Sequence, residues 1–350
     1  MIVDCHTHFN NFDAYDAMMT DTQNTGAGQF AILVFEKLTA EPDNFKLPHG
    51  LWFKLRHPDR VYLFGGLDLT GTGQPEFPLV TQLEALMAAG CDGLKFLHGK
   101  PDRRKCLGHA LNSPIFDALF DRLEQTQFPV LWHVGDPPEF WHPDQVPLWA
   151  KKNRWWYDET HPGKAQIDAE IADVFEKHPR LNLILPHFFF LSNDLDRAAA
   201  LLARYPSFVL DLAPGVEMYH NFTRQHRRAR DFFIAHADRI LFGTDIGIGR
   251  HETGPKRGWM IRQWLETTET FPVPDDPFMT PDERPDLKGI GLSPDVLEKI
   301  YSANFHRVLG RKHPKPLNTG AVKALLNELE IRAVNSGEGP STAGRVLREI

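Results

Sequence analysis

The sequence predicts a (β/α)8 barrel of the TIM type. Three observations carry that reading: eight short apolar runs recur along 350 residues, helical segments separate them, and a recurring polar residue closes several of the runs. The runs are IVDCH (2–6), FAILVF (30–35), VYLFGGLDL (61–69), GLKFLH (93–98), PVLWHVG (129–135), LNLILPH (181–187), FVLDLA (208–213) and RILFGTD (239–245). Several are continuously apolar rather than alternating, as expected of strands covered on both faces in a parallel sheet. A doubly wound open sheet is the rival, but it usually carries a glycine-rich turn after its first strand. Here that position reads HTHFNNFD. GIGRHE (247–252) lacks the third glycine of such a turn.

The intervening segments have helical spacing. PLVTQLEALMAAG (78–90) ends in Gly90, a suitable C-cap. AQIDAEIADVFEKHP (165–179) ends at Pro179, and NDLDRAAALLARYP (193–206) offers Asn193 or Asp194 as N-cap and stops before Pro206. Two stretches exceed what a barrel needs. Residues 136–164, after the fifth strand, hold Trp141, Trp149, Trp155 and Trp156 with His142 and His161; residues 249–292 follow the eighth. Long loops after barrel strands lie on the active-site face, so the first reads as a lid, with packing against a partner subunit as the alternative. SPDVLEKIYSANFHRVLG (293–310) reads as a helix. The barrel is assigned to 1–312 and a helical tail to 313–350, in which NSGEGPS has hinge composition.

The net charge of −7 excludes a general attraction to nucleic acid or to an anionic membrane. The basic runs RQHRRAR (224–230) and DRRK (102–105) read as solvated helix faces or loops. Cys5, Cys91 and Cys106 form no CxxC pair and read as free thiols of a reducing, cytoplasmic compartment. No signal peptide and no membrane-spanning run is visible, so the sequon at Asn221 is read as silent.

His6 and His8 sit two apart and should face one way at the end of the first strand. Alone they could be two surface histidines or two ligands of one metal ion. His133, His187 and Asp245 end the fifth, sixth and eighth runs, and a barrel gathers those ends around one opening. All five are nitrogen or oxygen donors of the kind that Zn2+ and similar ions accept. Five separately satisfied rim residues would be the bland alternative. A Zn2+-bound water can reach a pKa of about 7, and histidine titrates in the same range. No GxSxG elbow supports a serine nucleophile.

DCHTH, WHVGDP, LPH, FGTD and YSANFHRVLG, in order over roughly 1–312, resemble the amidohydrolase superfamily. More narrowly they are similar to its amidohydrolase-related branch of metal-dependent hydrolases, which also includes aminocarboxymuconate semialdehyde decarboxylase and dihydroxybenzoate decarboxylases. The resemblance implies one divalent metal, Zn2+ ahead of Mn2+, held by His6, His8, His133 and Asp245. His187 and Asp245 would be the catalytic acid/base pair, and Asp4 would have a structural role behind the ligands. Lys95 is expected to meet the substrate. The alternatives for it are a carboxylated bridge between two metals and a structural ion pair. His98, at odd spacing from Lys95, should face elsewhere as a rim or supporting residue. His142, His161, His220, Arg250 and His251 are expected near the mouth. The implied function is hydrolysis of an amide, ester or lactone in a small, carboxylate-bearing molecule. Non-oxidative decarboxylation of an aromatic or unsaturated acid is the second possibility and a non-catalytic metal scaffold the third. The resemblance also suggests a homo-oligomer.

Overall fold

The chain is described by a computed structural model covering residues 1–39, 45–74, 78–215, 217–247, 254–275, 286–335 and 341–350. Eight parallel strands follow one another in sequence order: β1 Ile2–Thr7, β2 Ala27–Leu33, β3 Val61–Gly65, β4 Gly93–Gly99, β5 Val130–Val134, β6 Leu183–Leu185, β7 Val209–Asp211 and β8 Ile240–Leu241. All eight expected runs hold a strand. The later strands are shorter than their apolar runs, because the run ends bend into loops that carry polar side chains. The sheet closes where β1 meets the segment after β8. Cys5 N donates to Phe242 O at 3.0 Å, Asp245 N to His6 O at 2.7 Å and His8 N to Ile246 O at 2.8 Å. Gly247 follows with φ +105°, where any Cβ would collide with the His8 carbonyl, so only glycine fits this closure.

The inner face is filled by Val3, Cys5, Ala31, Leu33, Tyr62, Phe64, Leu131, Ile184, Val209 and Leu241, with Phe305, Val308 and Leu309 closing one end. Such a barrel is a packed core rather than a pore. The β4 side chains divide as period two requires: Lys95 and Leu97 face the pocket, while Leu94, Phe96 and His98 are buried among other side chains and are absent from its walls. In β1 the pairing register slips between Asp4 and Thr7. That bulge brings His6 and His8 to the inner side although Val3 and Cys5 already occupy it.

The helices fall where their spacing predicts. Leu79–Ala89 ends in Gly90 at φ +95°, Lys164–Lys177 stops before Pro179, and Asp194 caps Leu195–Arg204 by accepting from Arg197 N at 3.0 Å. Pro294–Leu309 is helical with a π turn at Lys299–Ala303. The tail forms helices Thr319–Asn335 and Thr342–Leu347, and it docks on its own barrel. Trp52 Nε1 donates to Glu349 at 2.7 Å, Arg56 pairs with Glu349 at 2.6 Å, and Arg345 lies 4.2 Å from the Phe12 ring. The middle of the expected hinge, 336–340, lies outside the described residues. No helix among them is long and apolar enough to cross a membrane. The DRRK run departs from expectation. Arg104 is buried against Glu170 in a two-bond ion pair, at 2.8 and 2.9 Å, because the Lys164–Lys177 helix packs over it.

Beneath β3 and β4, Asp92 is fully buried. It accepts from the Lys54 ammonium, from Arg311 at 3.0 Å, and from the backbone N–H groups of Leu63 and Lys315 at 2.9 Å each. Breaking a buried pair strands the remaining charge. Lys54→Met should therefore cost about 3 kcal/mol of stability, read as a lower urea midpoint with an unchanged slope.

Candidate metal centre

Five elements deliver polar side chains to one opening at the C-terminal ends of the strands. A cavity of about 280 Å³ lies there. Its walls include His6, His8, Lys95, His133, His187 and Asp245, so every candidate site residue taken from the sequence reaches the same pocket. Single ligand atoms of His6, His187 and Asp245 lie within 4.8 Å of one another. His8 Nε2 is 3.2 Å and His6 Nε2 is 3.5 Å from Asp245 Oδ1. The His133 ring stands 5.0 Å from that of His187, on the other side of the cluster.

Which nitrogen each ring presents is fixed from behind. His6 Nδ1 contacts Asp211 Oδ2 at 2.7 Å, His8 Nδ1 contacts Leu33 O at 3.0 Å, and His187 Nδ1 contacts Ala213 O at 3.1 Å. Those oxygens accept, so each Nδ1 carries a proton. The Nε2 atoms of His6 and His8 are the ones that face Asp245. His133 is turned the other way: its Nε2 donates to Gly135 O at 3.0 Å and faces Asp136 at 3.3 Å, which leaves Nδ1 unprotonated in the neutral ring.

Burial sets the charges. It pushes His6 well below the ordinary histidine range. It pushes His187 down to about 3, aided by the neighbouring His133 and His6. His6, kept neutral by burial and with Nδ1 protonated, turns its Nε2 lone pair toward the Asp245 carboxylate, acceptor against acceptor. A cation between them resolves that arrangement, and the donors that converge within 4.8 Å, the imidazoles of His6 and His187 with the Asp245 carboxylate, are of the kind a divalent transition ion accepts, with His8 and His133 beside them on the pocket wall. The residues present fit such an ion.

Sequence reading missed three supports. Asp211 ends β7 fully buried. It accepts from His6 and from the backbone N–H groups of His187 at 2.8 Å and Ala213 at 3.0 Å. Burial pushes it up to about 6. Its signal was available, since FVLDLA ends an apolar run in a polar residue as the other runs do. Arg257, from the helix Gly254–Glu266, donates to Asp245 O at 2.9 Å and lies 3.8 Å from its carboxylate; no motif marks it. Asp136 stands inside the WHVGDP motif, two residues past the strand end, where a polar residue in a loop carries no signal of its own.

The backbone is strained at this point. His187, Phe188, Phe189 and Phe190 all have φ between 52° and 55°, and Asp245 has φ 57°. For non-glycine residues this conformation costs on the order of 1–2 kcal/mol each, and such strain concentrates where a site needs it. The left-handed turn directs His187 and Phe190 to the pocket, and Phe188 packs against Phe222 and Phe233 in the helical layer.

The remaining expected residues are dispersed. His98 faces away from Lys95, as its odd spacing requires, and lies buried beside Phe116 and Trp132, 3.7 Å from Glu36, rather than at the rim. His161 pairs with Asp158 at 2.8 Å, His142 is exposed and His220 is buried; none of the three lines the pocket. Arg250 and His251 lie outside the described residues. Phe140, Trp149 and Trp155 of the 136–164 segment do form a pocket wall.

A family model described as amidohydrolase matches residues 3–311. The chain belongs to the amidohydrolase family. Membership makes it a metal-dependent enzyme, a hydrolase or a decarboxylase. No curated protein is significantly similar to it. Solved structures share its fold. An uncharacterised TIM-barrel protein from Bordetella bronchiseptica is 14% identical, with a TM-score of 0.55, over 88% of this chain and 98% of that one. A dihydroxybenzoic acid decarboxylase from Polaromonas sp. JS666, with bound manganese and 2-nitroresorcinol, is 13% identical, with a TM-score of 0.53, over 88% and 96%. A 5-carboxyvanillate decarboxylase from Novosphingobium aromaticivorans, complexed with manganese and a nitrobenzoic acid, is 11% identical, with a TM-score of 0.52, over 89% and 96%.

Asp211→Asn keeps the shape but removes the charge behind His6. Divalent-metal affinity should fall by about 10–100-fold, measured by chelator competition, with the circular dichroism spectrum unchanged.

Proposed function

We propose that this enzyme is a metal-dependent hydrolase of a small, carboxylate-bearing molecule, cleaving an amide, ester or lactone bond. The observation that carries the reading is the convergence of His6, His8, His133, His187 and Asp245 on one opening, with Asp245 Oδ1 3.5 Å from His6 Nε2 and 3.2 Å from His8 Nε2. A carboxylate placed there would take the proton of a metal-held water as attack begins. His6, His8, His133 and Asp245 would hold one divalent ion, Zn2+ or Mn2+. Bound there, the ion would polarise the scissile carbonyl and make a water more acidic. Asp245 accepts the proton of the attacking water. His187, neutral and in the same cluster, takes that proton over from Asp245 and delivers it to the leaving group.

The rest of the pocket selects the substrate. Phe35, Phe140, Trp149, Trp155 and Phe190 supply flat apolar walls. Lys95 is buried with its ammonium at the pocket, and burial lowers its pKa to about 8. An ammonium there neutralises a substrate carboxylate away from bulk water. The same walls also suit a flat aromatic acid, and two of the similar structures are decarboxylases of such acids; decarboxylation is therefore the second reading. A cytoplasmic location and self-association complete the proposal, supported by three unpaired cysteines and by exposed Leu148 and Trp156 beside the pocket.

The deciding experiment is a screen of the metal-loaded enzyme on small amides, esters, lactones and aromatic carboxylates, with CO2 release recorded separately. Hydrolysis without CO2 is expected; stoichiometric CO2 would replace this reading with the second. Asp245→Asn should abolish turnover, and a variant as active as wild type would end the mechanism. Metal analysis should give one ion per chain. Lys95 is charged below its pKa and neutral above it, so KM for an anionic substrate should rise as pH climbs through about 8. Lys95→Met should raise KM at neutral pH and remove that rise.

A further inference from the structure

The segment that roofs the pocket and the histidine on the pocket wall share one buried carboxylate. Asp136 follows β5 and is 3% exposed. Its Oδ1 faces His133 Nε2 at 3.3 Å. Its Oδ2 accepts from the Lys100 ammonium and from the Tyr157 hydroxyl. Tyr157 stands at the far end of the aromatic insertion. Its N–H donates to Phe140 O at 2.8 Å, and its ring lies 4.8 Å from that of Trp141. Trp141 is tied in turn to Pro162 O at 3.1 Å. Lys100 adds a second link, with its ammonium 4.7 Å from the centre of the Trp155 ring. The segment whose Phe140, Trp149 and Trp155 form the pocket wall is therefore fastened at Asp136. Asp136, itself on the pocket wall, is also the negative charge beside His133 Nε2.

Two consequences follow. Gly135 O fixes which His133 nitrogen is protonated, while the carboxylate makes the other nitrogen a stronger donor, as an acidic partner does for a ligating imidazole. A buried carboxylate also needs its donors, so lifting Tyr157 away leaves it short of one. We propose that Asp136 is a positioning residue that couples His133 to the aromatic segment 138–157, so that seating of this segment and orientation of His133 are one linked equilibrium. The proposal rests on the reading of His133 as a metal ligand. Linkage makes the coupling reciprocal: disturbing either end must be felt at the other.

Full-length Tyr157→Phe, Asp136→Asn and His133→Gln test this with two probes. The first is Mn2+ titration. The second is trypsin cleavage of the metal-free protein within the segment, at the exposed Lys151, Lys152 and Arg154. Asp136→Asn should weaken Mn2+ binding about tenfold or more and speed cleavage. Tyr157→Phe, which keeps its ring packing and does not line the pocket, should also weaken Mn2+ binding, and the Asp136→Asn/Tyr157→Phe double variant should be no weaker than Asp136→Asn alone. His133→Gln should speed cleavage without any metal present. Lys100→Met carries the same expectation if Asp136→Asn does not fold. Wild-type Mn2+ affinity in Tyr157→Phe, additive effects in the double variant, or unchanged cleavage in His133→Gln would each overturn the coupling. Failure of the wild type to bind Mn2+ would instead sink the metal reading, and the cleavage of His133→Gln would still decide the coupling.

Discussion

Asp4 lies fully buried behind β1, and its carboxylate accepts from His6 N and Thr244 N at 3.1 Å each and from Thr244 Oγ1 at 2.5 Å. This contact joins the first strand to the segment after the last. It fixes the residue before Asp245 and the backbone of His6 with the same two oxygens. Around it, Asp245 N bonds to His6 O and His8 N bonds to Ile246 O. The site depends on this seam, because its histidine pair and its carboxylate come from opposite ends of the barrel and meet only when the sheet closes. A rigid seam also holds Asp245 in the left-handed region, which an unsupported aspartate would leave.

Electrostatics then follow from enclosure. The strand ends are buried, so His6 and His187 stay neutral and their lone pairs remain available. Asp211 supplies negative charge one layer back, shared between the His6 ring and two backbone donors. Arg257 and Lys95 bring positive charge from either side. Each group alone would be costly to bury. Together they form a set that a divalent ion completes.

The barrel was legible because its pattern is local. Continuous apolar runs mark strands covered on both faces, and Gly90, Asp194 and Pro179 mark helix ends by their own backbone chemistry. The candidate site residues were legible for a related reason: a polar residue that interrupts or ends an apolar strand carries a desolvation cost that calls for a partner. Asp211 obeys the same rule and was passed over. Arg257 could not be found this way, since one arginine in an amphipathic helix looks like any solvated charge until the helix folds across β8. Arg104 misled for the same reason.

His6 and His8 show the division most clearly. Their spacing of two, together with the family resemblance, determined that they face one way and belong with His133, His187 and Asp245. The bulge in β1 that turns both inward, the left-handed turn at His187–Phe190, and the fastening of Tyr157 to Asp136 were decided only in the folded molecule. Spacing along a strand is a property of the chain's own geometry. These other features are compromises among neighbours far apart in sequence, where burial and hydrogen bonding outweigh local backbone preference.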